Sequence, residues 1–141
     1  MDALDMETAQ RIDFKSKSEN IIVVERLIND LCDKHAIHED QYGNLLIALT
    51  EAVNNAIMHG NSSDPNKNVT VEYHSGENTI EFMVKDEGSG FDFENLPDPT
   101  DPKNIEKPTG RGVFLMKNLA DEVVFHEEGR VVELKFQIIA N

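Results

Sequence analysis

Between residues 18 and 58 apolar side chains recur at helical spacing, and from residue 69 onward they alternate. This change of period constrains the fold more than any single residue does. In SENIIVVERLINDLCDKH, Ile21, Val24, Leu27, Ile28 and Leu31 share one face of a helix whose expected N-cap is Ser18. A second helix is expected from about Glu39 to Met58, burying Leu45, Leu46, Leu49, Ala52, Val53 and Ala56. The Gly, Ser, Asp, Pro and Asn of HGNSSDPNKN make a loop. VTVEYH turns Val69, Val71 and Tyr73 to one side, TIEFMVK does the same with Ile80, Phe82 and Val84, and SGEN fits the hairpin turn between them. Ahead of the helices, RIDFKSK alternates weakly and reads as a short strand. Beyond a long loop, GVFLMKNLAD reads as a short helix and DEVVFHEEGRVVELKFQII as a second hairpin turning near Glu128–Gly129. The expected order is β, α, α, β, β, long loop, α, β, β.

A chain of 141 residues fits one domain with a sizeable core, and that domain is expected to occupy the whole of 1–141. With no Trp and two Tyr, the core falls to Phe, Ile, Leu and Val. The single cysteine, Cys32, excludes an internal disulfide and a multi-cysteine metal site, as suits a reducing cytosol. No run approaches the roughly 18 apolar residues of a membrane helix, and MDALDMETAQR lacks a basic-then-apolar export signal. A cytoplasmic protein without a membrane partner is expected. Lys and Arg number 13 against 27 Asp and Glu, a net charge of −14. That sign repels phosphate backbones, so direct nucleic-acid binding is not expected. A phosphate-bearing small ligand would need local help from a metal ion, a helix N-terminus or a few placed cations.

NLPDPTDPKNIEKPTG holds four of the five prolines. The roughly 30 residues after it are too few to fold alone, which disfavours an interdomain linker. A long loop inside one compact domain usually serves a site, and residues of about 92 to 109 are read as a lid.

Three segments carry candidate chemistry. In TEAVNNAIMHGN, Glu51, Asn55 and His59 form an i, i+4 row beside the apolar stripe, so the row should line a crevice edge. The amide oxygen of Asn55 suits a hard cation such as Mg²⁺, and Glu51 one turn away suits a proton acceptor. The alternative is a helix edge that is merely polar. In DEGSG, directly after a strand, Asp86 can accept from an exocyclic amine, as on adenine. Gly88 and Gly90 permit close approach of backbone to a ligand; the alternative is an ordinary acidic turn. In TGRGVFLMKN, Gly110 and Gly112 flank Arg111 before a helix, so backbone N–H groups, the arginine and the Thr109 hydroxyl can cradle an anion. The spacing is not that of a Walker A loop, and a glycine hinge for the lid is the alternative. His35, His38, His74 and His126 show no metal spacing and are read as structural, as is Cys32.

The order of these segments is more specific than any one of them. A Glu-x-x-x-Asn helix, Asp-x-Gly-x-Gly after a strand, and Gly-x-Gly before a helix at the end of a flexible loop resemble the N, G1 and G2 boxes of the GHKL ATP-binding superfamily. The resemblance covers residues of about 10 to 140. The short chain, TEAVNNAIMHGN and GRGVFLM are most similar to its anti-sigma factor serine/threonine kinase branch. The resemblance implies a Bergerat-type α/β two-layer sandwich, with a mixed, mainly antiparallel sheet and helices on one face. It implies ATP and Mg²⁺ as ligands, Glu51 as general base, Asn55 as the Mg²⁺ ligand and Asp86 on the adenine amino group above Gly88 and Gly90. Thr109, Gly110, Arg111 and Gly112 would lie at the triphosphate under the lid, with Lys103 and Lys107 as possible helpers. His59 matches a position often held by His in this branch, without a defined role, and Asn54 is a second polar contact or surface. The implied partners are an alternative sigma factor, held inactive, and an anti-sigma factor antagonist phosphorylated on a serine; a homodimer is also implied. The rival readings are the catalytic fragment of a sensor histidine kinase and a non-catalytic ATP-dependent binding switch.

Overall fold

The computed structural model of the protein describes residues 10–88 and 108–138. Strand β1 (Gln10–Lys15) passes through a 3-10 turn at Ser18–Asn20 into helix α1 (Ile21–His35), and α2 (Glu39–Asn55) follows. Val24, Leu27, Ile28 and Leu31 of α1 and Leu45, Leu49, Ala52 and Val53 of α2 are buried, as their spacing predicts. Ser18 is not the cap. It lies inside the 3-10 turn, and Asn20, which precedes α1, donates its amide to Lys15 O at 2.8 Å instead of capping. The chain must leave the sheet and reverse within a few residues, and the tighter turn achieves this where a cap would prolong the strand. His38 opens α2 structurally, its Nδ1 accepting from the N–H of Asp40 at 3.1 Å.

At its C-terminal end α2 widens into a π-helical turn, Ala56–Gly60, and the N–H of Asn61 reaches back five residues to Ala56 O at 2.8 Å. Such a turn advances side chains by less than the α-helical 100°. His59, within this turn, stands exposed, whereas Glu51 and Asn55 are half-buried.

Strands β2 (Asn68–Ser75) and β3 (Thr79–Lys85) form the first hairpin, and helix α3 (Pro108–Leu119) precedes the second, β4 (Glu122–His126) and β5 (Val131–Gln137). The sheet order is β1-β2-β3-β5-β4, and every pairing among the described residues is antiparallel. The parallel component expected of a mixed sheet is not found there. Register aligns Ile12, Val71, Val84, Val132 and Phe125 across all the strands, facing the helices, and these join one core with Val24, Ile28, Leu49 and Val53. The opposite face carries an ion pair, Lys85–Glu72 at 3.0 Å, and two histidine–carboxylate contacts, His74–Glu81 at 2.9 Å and His126–Glu133 at 3.1 Å. A fully buried aliphatic side chain contributes roughly 1.5–3 kcal/mol, and a surface ion pair about 0–1 kcal/mol. The helix side therefore decides stability. The result is an α/β two-layer sandwich with helices on one face.

Helix α3 starts a turn earlier than its apolar pattern suggests, at Pro108. Proline is favoured in the first helical position because it lacks the N–H that a helix start leaves unpaired, and its φ is already helical. Residues 108 and 109, assigned to the lid from sequence, thus belong to the helix. The remainder of that lid, 92–107, lies outside the described residues, as do Gly90, Lys103 and Lys107. Among the described residues no helix is long and apolar enough to cross a membrane.

Candidate functional site

The last turns of α2 hold Glu51, Asn54 and Asn55, half-buried beside the stripe of Ala52, Val53 and Ala56. Helix α3 is seated on this edge. A Cβ on Gly112 would stand 2.9 Å from Glu51 Oε2 and 3.2 Å from Asn55 Nδ2, so glycine is what lets the α3 backbone come so near. Because α3 begins at Pro108, its unpaired N–H groups belong to the first turn, at Thr109 and Gly110, and that of Gly112 falls inside the helix. This corrects the expectation that the helix N-terminus lies at Gly112. Arg111 is exposed.

Asn55 Nδ2 is buried and has no hydrogen-bond partner among the described residues. Half a turn of the amide exchanges its two ends, so this position can offer an oxygen to a cation or a donor to a phosphate. An unpaired buried amide costs about 1–3 kcal/mol, which a ligand would recover. The donor set, one amide oxygen with the Glu51 carboxylate one turn away, fits a hard cation that keeps most of its shell from water and phosphate.

Asp86 lies at the end of β3, and it shares one crevice of about 20 Å³ with Asn55, lined also by Ala52, Ala56, Val84 and Met116. The N–H of Gly88 donates to Asp86 Oδ1 at 2.9 Å. Oδ2 lies over Gly60, where a Cβ would meet it at 2.2 Å. Gly88 is pressed against Gly60 in turn, since a Cβ on Gly88 would stand 1.6 Å from Gly60 O. Burial pushes the Asp86 carboxyl above its ordinary range; the Gly88 N–H and the charges of Arg130 and Lys67 oppose this only in part.

The structure thus brings Glu51, Asn55 and Gly112 together, and places Asp86 on one crevice with Asn55, with Gly88 bonded to the Asp86 carboxylate. Thr109 and Gly110 are in the first turn of α3, and Gly90 lies outside the described residues. Three neighbours were given no role from the sequence, although two of them end the stretch TEAVNNAIMHGN. Gly60 and Asn61 look like ordinary loop residues, and Arg130 reaches Asp86 only because β5 pairs with β3, its carbonyl accepting from Asp86 N–H at 3.0 Å.

A helix ending in Glu-x-x-x-Asn that faces an Asp-x-Gly turn across a crevice, over an antiparallel sheet, defines an ATP-binding domain of Bergerat type. The Histidine kinase-like ATPase domain matches residues 14–136, and the chain belongs to that family. It is similar to the serine-protein kinase RsbW of Bacillus cereus (strain AH820), 29% identical over 136 residues, which cover 90% of this chain and 84% of that one. RsbW of Bacillus thuringiensis (strain Al Hakam) matches to the same extent, 29% over 136 residues. Among solved structures it resembles that of the RsbU and RsbW domains of Rv1364c from Mycobacterium tuberculosis. The TM-score is 0.66 at 14% identity, covering 94% of this chain and 34% of that one, a likeness of fold.

Proposed function

We propose that residues 1–141 are a single cytoplasmic ATP-binding domain acting as a protein serine/threonine kinase of the anti-sigma factor type. Its substrate is a serine on an anti-sigma factor antagonist, and it also sequesters an alternative sigma factor. The observation that carries this reading is the meeting of Glu51 and Asn55 with the backbone of Gly112, where Asn55 also shares a crevice with Asp86. The names of the relatives as serine-protein kinases support the choice of acceptor.

Glu51, reachable from the Gly112 side, accepts the proton of the incoming hydroxyl. Asn55 holds Mg²⁺, with Asp86 on the adenine amine and Gly88 and Gly90 beneath the base. The first turn of α3, Thr109 and Gly110, with Arg111 and the Gly112 backbone, faces the phosphates. Mg-ATP, when bound, supplies the phosphoryl group: a bond forms from the serine oxygen to the γ-phosphorus, the bond to the β–γ bridging oxygen breaks, and ADP leaves.

The test is Glu51→Gln with labelled ATP and the antagonist. Affinity for Mg-ATP should stay within a few fold while transfer falls by at least the 10²–10⁴-fold typical of a general base. Transfer at the wild-type rate would remove Glu51 as the base, whereas a wild-type protein that binds Mg-ATP and transfers no phosphate would favour a binding switch.

A further inference from the structure

Among the described residues Asn61 is the one fully buried carboxamide, at 0% exposure, and both ends of its amide are hydrogen-bonded. Its Nδ2 donates to Ser16 Oγ at 2.7 Å and to Asn68 O at 2.9 Å. Its Oδ1 accepts from the N–H of Glu87 at 2.7 Å. The amide orientation is thereby forced, because Asn68 O needs a donor and Glu87 N–H an acceptor. These bonds join the residue after β1, the start of β2, the end of the π-helical turn and the turn after β3.

The turn itself is accounted for amide by amide. Asp86 N–H goes to Arg130 O at 3.0 Å, Glu87 N–H to Asn61 Oδ1 at 2.7 Å, and Gly88 N–H to Asp86 Oδ1 at 2.9 Å. The Glu87 carboxylate also takes the N–H of Asn68, and Gly88 rests against Gly60 O. Among these three amide bonds only that to Asn61 goes to a side chain outside the turn, and it is the one that links the turn to the π-helical end of α2, beside the packing of Gly88 on Gly60.

We propose that Asn61 is a positioning residue for purine selection. By fixing the Glu87 amide, it sets the place of Asp86 Oδ2 relative to Asn55, and so the site's preference for adenine over guanine. Adenine presents an amine where guanine presents a carbonyl, so a carboxylate held in place accepts from the first and repels the second. This rests on the nucleotide reading of Asp86 given above.

The experiment compares ATP and GTP affinity, by calorimetry across pH, and melting temperature in four variants. Asn61→Ala should lose at least tenfold of the wild-type ATP-over-GTP preference and shift the pH profile of ATP binding. Ser16→Ala removes one partner of the Asn61 amine and leaves Glu87 N–H bonded, so it should lower the melting temperature and keep the preference. Asn61→Asp retains the acceptor for Glu87 N–H and should also keep it; should Asn61→Ala fail to fold, this variant decides. The proposal is overturned by an Asn61→Ala protein with wild-type preference and pH profile, by a preference lost equally in Ser16→Ala, or by a folded Asn61→Asp protein that loses it. Asp86→Asn is the control: if it retains wild-type preference, the adenine reading of Asp86 fails instead.

Discussion

Asp86 combines two roles that pull against each other. Its ordinary value is 3.8, and burial raises it in the folded chain. A carboxyl raised in this way favours folding while protonated. Its contribution is complete below the unfolded value and is lost as pH rises through the folded one. Asp86→Asn should therefore be as stable as the wild type, or more so, at pH 7, with the difference shrinking toward pH 4. Urea melts at the two pH values check the sign, and a variant that gains on the wild type as the solution is acidified would contradict it. Nucleotide affinity should move the other way. Oδ1 is taken by the Gly88 N–H, so Asn would turn its NH₂ toward the adenine amine, donor against donor. A lost hydrogen bond to a charged acceptor, about 1.5–3 kcal/mol, corresponds to roughly ten- to a hundredfold in ATP affinity. Asp86 stood out in the sequence because a carboxylate followed by glycines ends an alternating strand. Asn61 did not, because its partners Ser16, just past β1, and Asn68, at the start of β2, are joined to it by no local pattern.

At the level of elements, Gly112 and Gly88 look alike in sequence and should respond oppositely to an added methyl group. In Gly112→Ala the nearest atom, at 2.9 Å, is the end of the flexible Glu51 side chain. Ala also gains about 0.8–1 kcal/mol of helix propensity over Gly. Stability should change by less than about 1 kcal/mol, while phosphotransfer falls because Glu51 and Asn55 are pushed aside. In Gly88→Ala the obstacle is a backbone oxygen at 1.6 Å, which cannot rotate away, so the turn or the end of α2 must move. A loss of roughly 1–3 kcal/mol or more is expected. Paired denaturation and transfer assays separate the two, and a Gly88→Ala protein as stable as the wild type would mean that the two glycines do not meet. The same elements show which features period alone reveals. Helices α1 and α2 and the strands carry their apolar residues at regular spacing, so their existence and buried faces were readable. The start of α3 was not, because Pro-Thr-Gly-Arg-Gly lacks apolar residues until Val113. The π-helical turn at Ala56–Gly60 was hidden as well, since a widened turn leaves composition unchanged.

On the scale of the whole molecule, a net charge of −14 must admit a ligand that is itself strongly anionic. Among the described residues the cations at hand are few. Arg130 and Lys67 act on Asp86, and Arg111 is exposed on α3. Attraction from these groups works over a few ångströms, whereas repulsion from the acidic surface works over the whole approach. Salt does not weaken the two equally. The Debye length falls from about 30 Å at 0.01 M to about 10 Å at 0.1 M, which removes the long-range repulsion first and leaves contacts within the crevice less affected. The association rate of Mg-ATP should therefore rise over that range, with the dissociation rate nearly constant, the reverse of a site steered by a basic surface. Stopped-flow binding of a fluorescent ATP analogue at the two salt concentrations measures both rates. An association rate that falls with salt would mean that the local cations, and not the acidic surface, govern the approach of the nucleotide.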